Sequence, residues 1–232
     1  MWRALLVVSA VWAALAADAP SDYAVEKLFG GLQYASTVAW SRDGYLLIGD
    51  LPAGRITRID TKGPSLYREK AFVSGIAWDG EGRMYTCSPR ERRVTRSDRK
   101  GNPEIVAERF EGKRLNGPNG LVVSKNGHVW FTDASFGSAE KEKELSFYGV
   151  YHVSPKGELA LATKLGGRPN GIAMAPDGRL LYVVDSDARA VLALAAGAAR
   201  DADRGAIEAI VLANTSGQTL ANTSDCPMSV SS

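Results

Sequence analysis

Side chains with chemical capacity gather in two matching phrases of this 232-residue chain. The first is Arg114-Leu115-Asn116-Gly117-Pro118-Asn119-Gly120, and the second is Arg168-Pro169-Asn170-Gly171. An asparagine beside glycine often fills a left-handed turn, because its short amide tolerates positive φ. The same amide can serve a ligand, and for Asn119 and Asn170 both readings stand open at this point. Asp50, Asp133 and Asp185 each end an apolar strand, where a carboxylate caps a turn more readily than it acts as a base. His128 and His152 lie in strand patterns with no serine nucleophile motif near them, and they read as packing or surface residues. No Gly-x-Ser-x-Gly elbow and no phosphate-binding loop occurs, so no catalytic residue is assigned.

The elements that must position these residues repeat. Trp40-Ser41-Arg42-Asp43-Gly44, Trp78-Asp79-Gly80-Glu81-Gly82, Ser124-Lys125-Asn126-Gly127 and Ala175-Pro176-Asp177-Gly178 each join two apolar strands. Their final glycines stand at 44, 82, 127 and 178, so the unit recurs every 38, 45 and 51 residues. Asp-Gly and Asn-Gly hairpins predict type I′ turns, in which both central residues take positive φ. Another strand and turn follows three of these units, at Arg55–Gly63, Arg93–Gly101 and Gly149–Gly157. Four strands every 40 to 50 residues make a β-propeller blade. The expected fold is therefore an all-β propeller with about four recognisable blades, its C-terminal part missing or diverged. The best helical candidate is the alanine-rich stretch near 192–200.

Three segments are expected. Residues 1–16 read as a secretory signal peptide, with Arg3, an apolar run and Ala14-Leu15-Ala16, which implies a secreted or periplasmic protein. Residues 17–213 hold the partial propeller, and 214–232 form a polar, low-complexity tail. A formal net charge of +2 gives no reason to expect nucleic acid, and no later segment is apolar enough to span a bilayer. Cys87 and Cys226 are too few for a disulfide scaffold or metal knuckle, and Cys87 reads as a buried thiol. An open propeller exposes unpaired strand edges, so self-association is expected.

Several phrases in order carry a family resemblance: Trp40 to Gly44, Asp50-Leu51-Pro52-Ala53-Gly54-Arg55, Phe110 to Asn119, Phe131-Thr132-Asp133 and Arg168-Pro169-Asn170-Gly171. Over about residues 25 to 192 the chain resembles the family of gluconolactonase, senescence marker protein and luciferin-regenerating enzyme, whose members are six-bladed propellers. The resemblance implies a metal-dependent hydrolase opening a sugar lactone or related cyclic ester, with one calcium or other divalent ion on the propeller axis. The alternative is a non-catalytic or degenerate propeller, acting as a binding module or a truncated relic. The resemblance makes Asn119 and Asn170 metal ligands and Arg114 and Asn116 substrate contacts. Ser36 stands where the family carries a first-blade glutamate, and Gly120 where the phrase usually ends in Asp. A hydroxyl replaces a carboxylate poorly on a dication, so any metal is expected to bind weakly.

Overall fold

In this computed structural model the described residues are 26–196 and the backbone of 210–214. The signal-peptide reading of residues 1–16, Cys226 and nearly all of the polar tail lie outside them. Two units cluster: Met1–Gly31, whose described residues 26–31 carry no regular element, and Leu32–Ser232, which carries every strand.

Four four-stranded antiparallel sheets follow one another in chain order. Blade one is β1 (Ala35–Ser41), β2 (Tyr45–Asp50), β3 (Arg55–Asp60) and β4 (Gly63–Glu69); blade two is β5 (Gly75–Trp78), β6 (Met84–Ser88), β7 (Arg93–Ser97) and β8 (Pro103–Ala107). A small hairpin, β9 (Arg109–Phe110) with β10 (Lys113–Arg114), precedes blade three. That blade is β11 (Pro118–Val123), β12 (Val129–Asp133), β13 (Tyr148–Val153) and β14 (Leu159–Leu165). Blade four is β15 (Pro169–Met174), β16 (Leu180–Asp185), β17 (Ala190–Ala195) and β18 (Ile210–Asn214). Among the described residues the single helical segment is a short 3-10 turn, Gly137–Glu142, so none is long and apolar enough to cross a membrane. The expected four-blade propeller pattern is what the chain forms.

Two local expectations are corrected. The blade hairpins are not type I′. Gly44, Gly82, Gly127 and Gly178 have φ between 74° and 82°, but no Asp or Asn beside them does. Each glycine N–H instead donates to the residue three before it, at 2.9–3.2 Å. This is a type I turn closed by a left-handed glycine, which needs one residue of positive φ rather than two. The stretch near 192–200 begins as a strand, not a helix. Leu192, Ala193 and Leu194 are buried in β17, and Leu194 packs with Trp130, Val150, Leu181 and Val183. Burial between blades outweighs alanine's helical preference there.

The blades stack through their faces, and sequence-equivalent positions show the effect. Trp78 of β5 packs on Tyr45 of blade one, with ring centroids 6.4 Å apart. Trp40, its equivalent in β1, is 65% exposed. Between blades two and three the core holds Tyr85, Val94, Leu121, Phe131 and Tyr151. Cys87 is a buried thiol, as expected, with Sγ 3.8 Å from the Gly120 carbonyl.

Candidate functional site

A register slip in the first strand of three blades builds the site. In β1, Ala35 pairs with Asp50 and Thr37 with Gly49, leaving Ser36 extra. In β11, Pro118 pairs with Asp133 and Leu121 with Phe131; in β15, Pro169 pairs with Asp185 and Ile172 with Val183. A bulge leaves residues unpaired and re-aims their side chains, and here those residues include Ser36, Asn119 and Asn170. Blade two reaches the same place with Ser74, immediately before β5. All four line one cleft of about 580 Å³. Asn116, Asn119 and Asn170 have negative φ, so none of them serves as a left-handed turn filler.

Hydroxyls fix the spacing between these positions. Ser36 Oγ donates to the carbonyls of Gly49 and Val73 at 3.0 and 2.7 Å. Ser74 Oγ lies 3.2 and 3.0 Å from the Pro118 and Asn119 carbonyls. Thr132 Oγ1 accepts from Gly120 N at 2.9 Å and donates to the Asn170 carbonyl at 2.6 Å. Each hydroxyl thus bridges its own blade to the next. The Asn119 amide makes no hydrogen bond among the described residues, and Asn170 Nδ2 has one long contact, 3.4 Å to Ser186 Oγ. Both amides are left available to a ligand.

The strand-end acids accept main-chain hydrogen bonds; Asp185 caps the turn that follows it, as expected, while Asp50 and Asp133 instead fasten the segments that lead into the first strands of their blades. Asp50 accepts from Gln33 N and Tyr34 N, Asp133 from Asn116 N and Gly117 N, and Asp185 from Asp187 N and Ala188 N, all between 2.7 and 3.0 Å. Asp133 is buried and its carboxyl is pushed up from 3.8 to about 6; desolvation outweighs the two backbone hydrogen bonds and the nearby Arg92. His128 and His152 stack at 4.8 Å on a face that does not line the cleft.

The two expected substrate contacts separate. Asn116 lines the cleft, but its Nδ2 donates to Phe147 O at 2.9 Å and its Oδ1 accepts from Leu145 N at 3.2 Å, so it fastens a loop. Arg114 does not line the cleft; its Nη2 donates to Glu91 O at 2.7 Å. Arg90 and Arg92 stand there instead. Arg92 is committed, with Nε to Leu115 O at 2.7 Å and Nη1 to Glu144 at 3.2 Å, whereas Arg90 lies over the Phe72 ring with Cζ 3.9 Å from its centroid.

Comparison with known proteins agrees with this layout. A family model described as SMP-30/Gluconolactonase/LRE-like region matches residues 34–209. This chain belongs to that family. A gluconolactonase of Zymomonas mobilis is 42% identical over 87 residues, covering 36% of this chain and 24% of that protein. The solved structure of a gluconolactonase from Xanthomonas campestris is 30% identical with a TM-score of 0.68, covering 78% of this chain and 62% of that one. A second structure, provisionally named a gluconolactonase, is 25% identical with a TM-score of 0.72, over 82% of this chain and 67% of that one. A streptogramin B lyase at 15% identity and a TM-score of 0.56 shares the fold alone. The chain spans about a quarter of the curated relative's length and about two thirds of the gluconolactonase structures.

For a member of the gluconolactonase family, the cleft has an unusual donor set. A calcium ion takes six to eight oxygens, carboxylates prominent among them. The axial positions here offer two amides and two hydroxyls, all neutral, and both hydroxyls already donate to main-chain carbonyls. The acidic side chain lining the cleft, Glu142, belongs to the exposed 3-10 turn. No cluster of three or more His, Cys, Asp or Glu suited to a metal occurs among the described residues. This set does not fit a tightly held calcium ion. The sequence assigns none of Ser74, Thr132, Arg90 and Glu142 to the site, although Thr132 lies in the Phe131-Thr132-Asp133 phrase and Arg90 opens the basic run 90–96, which reads as a solvated strand face. Ser74 had a signal: Ser74-Gly75-Ile76 aligns with Asn119-Gly120-Leu121 and Asn170-Gly171-Ile172.

Proposed function

We propose that this chain binds a sugar lactone or related cyclic ester in the axial cleft and opens it with water. The observation that carries this reading is the convergence of Ser36, Ser74, Asn119 and Asn170, one from each blade, on a single cleft of about 580 Å³, a volume suited to a small ligand. Two further features support it. Phe136 gives the cleft an apolar surface for the C–H side of a sugar ring. Ser135, only 1% exposed, lines the cleft with no hydrogen-bond partner for its Oγ among the described residues, and a buried hydroxyl of this kind is completed by a ligand group or water.

In this reading the Asn119 and Asn170 amides donate to ligand oxygens. Water adds to the lactone carbonyl carbon, the ring C–O bond breaks, and the ring oxygen leaves as a hydroxyl. Glu142 is the carboxylate lining the cleft that can take the proton from water, with the proton returning to the departing oxygen. A divalent ion that enters would meet Asn119 and Asn170 and bind weakly, with Kd on the order of 1 mM.

Proton release from a panel of sugar lactones, followed in a pH-stat with chelator and again with calcium, tests the reading. The expected result is acceleration over the spontaneous rate in both conditions, and a loss of about 100-fold in Glu142→Gln. A neutral donor set also favours a second reading, a lactone-binding module without turnover. Ligand binding with no acceleration of any lactone would establish that second reading and refute hydrolysis.

A further inference from the structure

The cleft holds a cation without an acidic partner. Arg90 sits in the loop 89–92 between β6 and β7, where the other basic residues are neutralised. Arg92 pairs with Glu144 at 3.2 Å, and Arg93 of β7 pairs with Glu91 at 2.9 Å. Among the described residues Arg90 makes no ion pair and no hydrogen bond; its guanidinium lies over the Phe72 ring, with Cζ 3.9 Å from the centroid. Both Arg90 and Phe72 line the cleft.

This placement is built rather than incidental. Phe72 presses on Gly54, where φ is +63° and an added Cβ would stand 2.6 Å from the ring, so only glycine admits the aromatic platform. The loop carrying Arg90 is pinned on both sides. Glu91 N donates to Ser88 Oγ at 3.2 Å, the Glu91 carbonyl accepts from Arg114, Arg92 is tied to the Leu115 carbonyl, and Pro89 lies within 3.4 Å of where a Gly117 side chain would start. A guanidinium seated over an aromatic ring keeps N–H donors for a planar acceptor, and the ordering cost of binding is lowered because the side chain is already placed. Among the described residues the lining includes one acid, Glu142, on the 3-10 turn. The axial positions themselves contribute no negative charge.

Resting on the lactone reading above, we infer that Arg90 makes this cleft selective for a cyclic ester bearing a carboxylate, such as the lactone of a sugar diacid, over its neutral counterpart. The anion's two oxygens accept from the Arg90 fork while the ring's hydroxyls meet the asparagine amides. Charged hydrogen bonds of this kind correspond to about 10-fold or more in affinity at an accessible site.

The test compares two probes, gluconolactone and glucarolactone, the second differing by a carboxylate, in calorimetric titrations of the whole chain. Wild type is expected to bind glucarolactone at least about 10-fold more tightly, with the gap narrowing as salt is raised. In Arg90→Gln the ratio of the two affinities falls to about one, and in Arg90→Lys, which keeps the charge but loses the fork, it lies between. Equal affinities in wild type, or a ratio that survives in Arg90→Gln, would overturn the inference while leaving the lactone reading in place. Binding of neither probe by a folded sample would overturn the lactone reading, and the inference with it.

Discussion

Thr132 is the side chain through which the two asparagine positions are held in register, and Thr132→Val removes that link with almost no change of shape. The residue is fully buried, so valine leaves no cavity, but the hydroxyl is lost. Two groups then lose their partner: the Gly120 N–H, 2.9 Å from Oγ1, and the Asn170 carbonyl, 2.6 Å from it. An orphaned buried polar group costs about 1–3 kcal/mol. Both groups belong to half-buried residues, which places the sum toward the low end, roughly 3 kcal/mol in total. For a chain of this size each kcal/mol moves Tm by about 2–4 °C, so the expected drop is roughly 6–12 °C. Urea unfolding followed by tryptophan fluorescence gives the free energy, and a thermal scan gives the shift. Lactone affinity falls in the same variant, because the Asn119 and Asn170 bulges lose their shared anchor. Thr132→Ser retains the hydroxyl and should recover most of the loss. A valine variant within about 0.5 kcal/mol of wild type, or a serine variant as damaged as valine, would refute the reasoning.

Two other perturbations follow from the same geometry. Gly75→Ala would place a Cβ 2.5 Å from the Asn119 carbonyl and 2.7 Å from Leu121, forcing blades two and three apart at the cleft; a loss of about 1–3 kcal/mol in chemical denaturation is expected, and a neutral result would contradict the close approach. The Asp133 carboxyl, raised to about 6 by burial from 3.8, binds its proton more tightly in the folded than in the unfolded chain. Its contribution to stability is therefore present below pH 4 and is lost as pH rises through about 6, an order of 3 kcal/mol in all; unfolding free energies across that window should show this component in wild type and not in Asp133→Asn.

Much of the fold was legible because it is written in short-range chemistry. The glycines at 44, 82, 127 and 178 close turns that only a left-handed residue can close, and the strand-end acid Asp185 caps the turn that follows it, whereas Asp50 and Asp133 reach back to the segments that enter their blades, which no local pattern reports. The turn type was misread because Asp-Gly and Asn-Gly fit both a two-residue and a three-residue hairpin, and the choice depends on strand register. The alanine-rich strand β17 was missed because its leucines are held by blade-to-blade burial, which no local window reports. At the site, Asn119 and Asn170 were found through their phrases, but the bulges that aim them exist only relative to Phe131, Thr132 and Val183 on the paired strands. The family phrase makes Arg114 a substrate contact, but its hydrogen bond to the Glu91 carbonyl is long-range and invisible in the sequence, and Arg90, from a different loop, lines the cleft. Ser74 escaped notice because a hydroxyl stands where the matching blades carry amides.

The central claim is that Asn119 and Asn170, presented by bulges in neighbouring blades, hold a cyclic ester in the axial cleft without a tightly bound metal. Calorimetric titration of a non-hydrolysing sugar lactam into wild type, Asn119→Ala, Asn170→Ala and the double variant, all in chelator, tests it most directly. The account predicts binding in wild type, a loss of about 5- to 10-fold for each single change, corresponding to roughly 1–1.5 kcal/mol per hydrogen bond, and a larger loss in the double variant with folding intact. Binding that appears only when calcium is added, or that is indifferent to both asparagines, would contradict it.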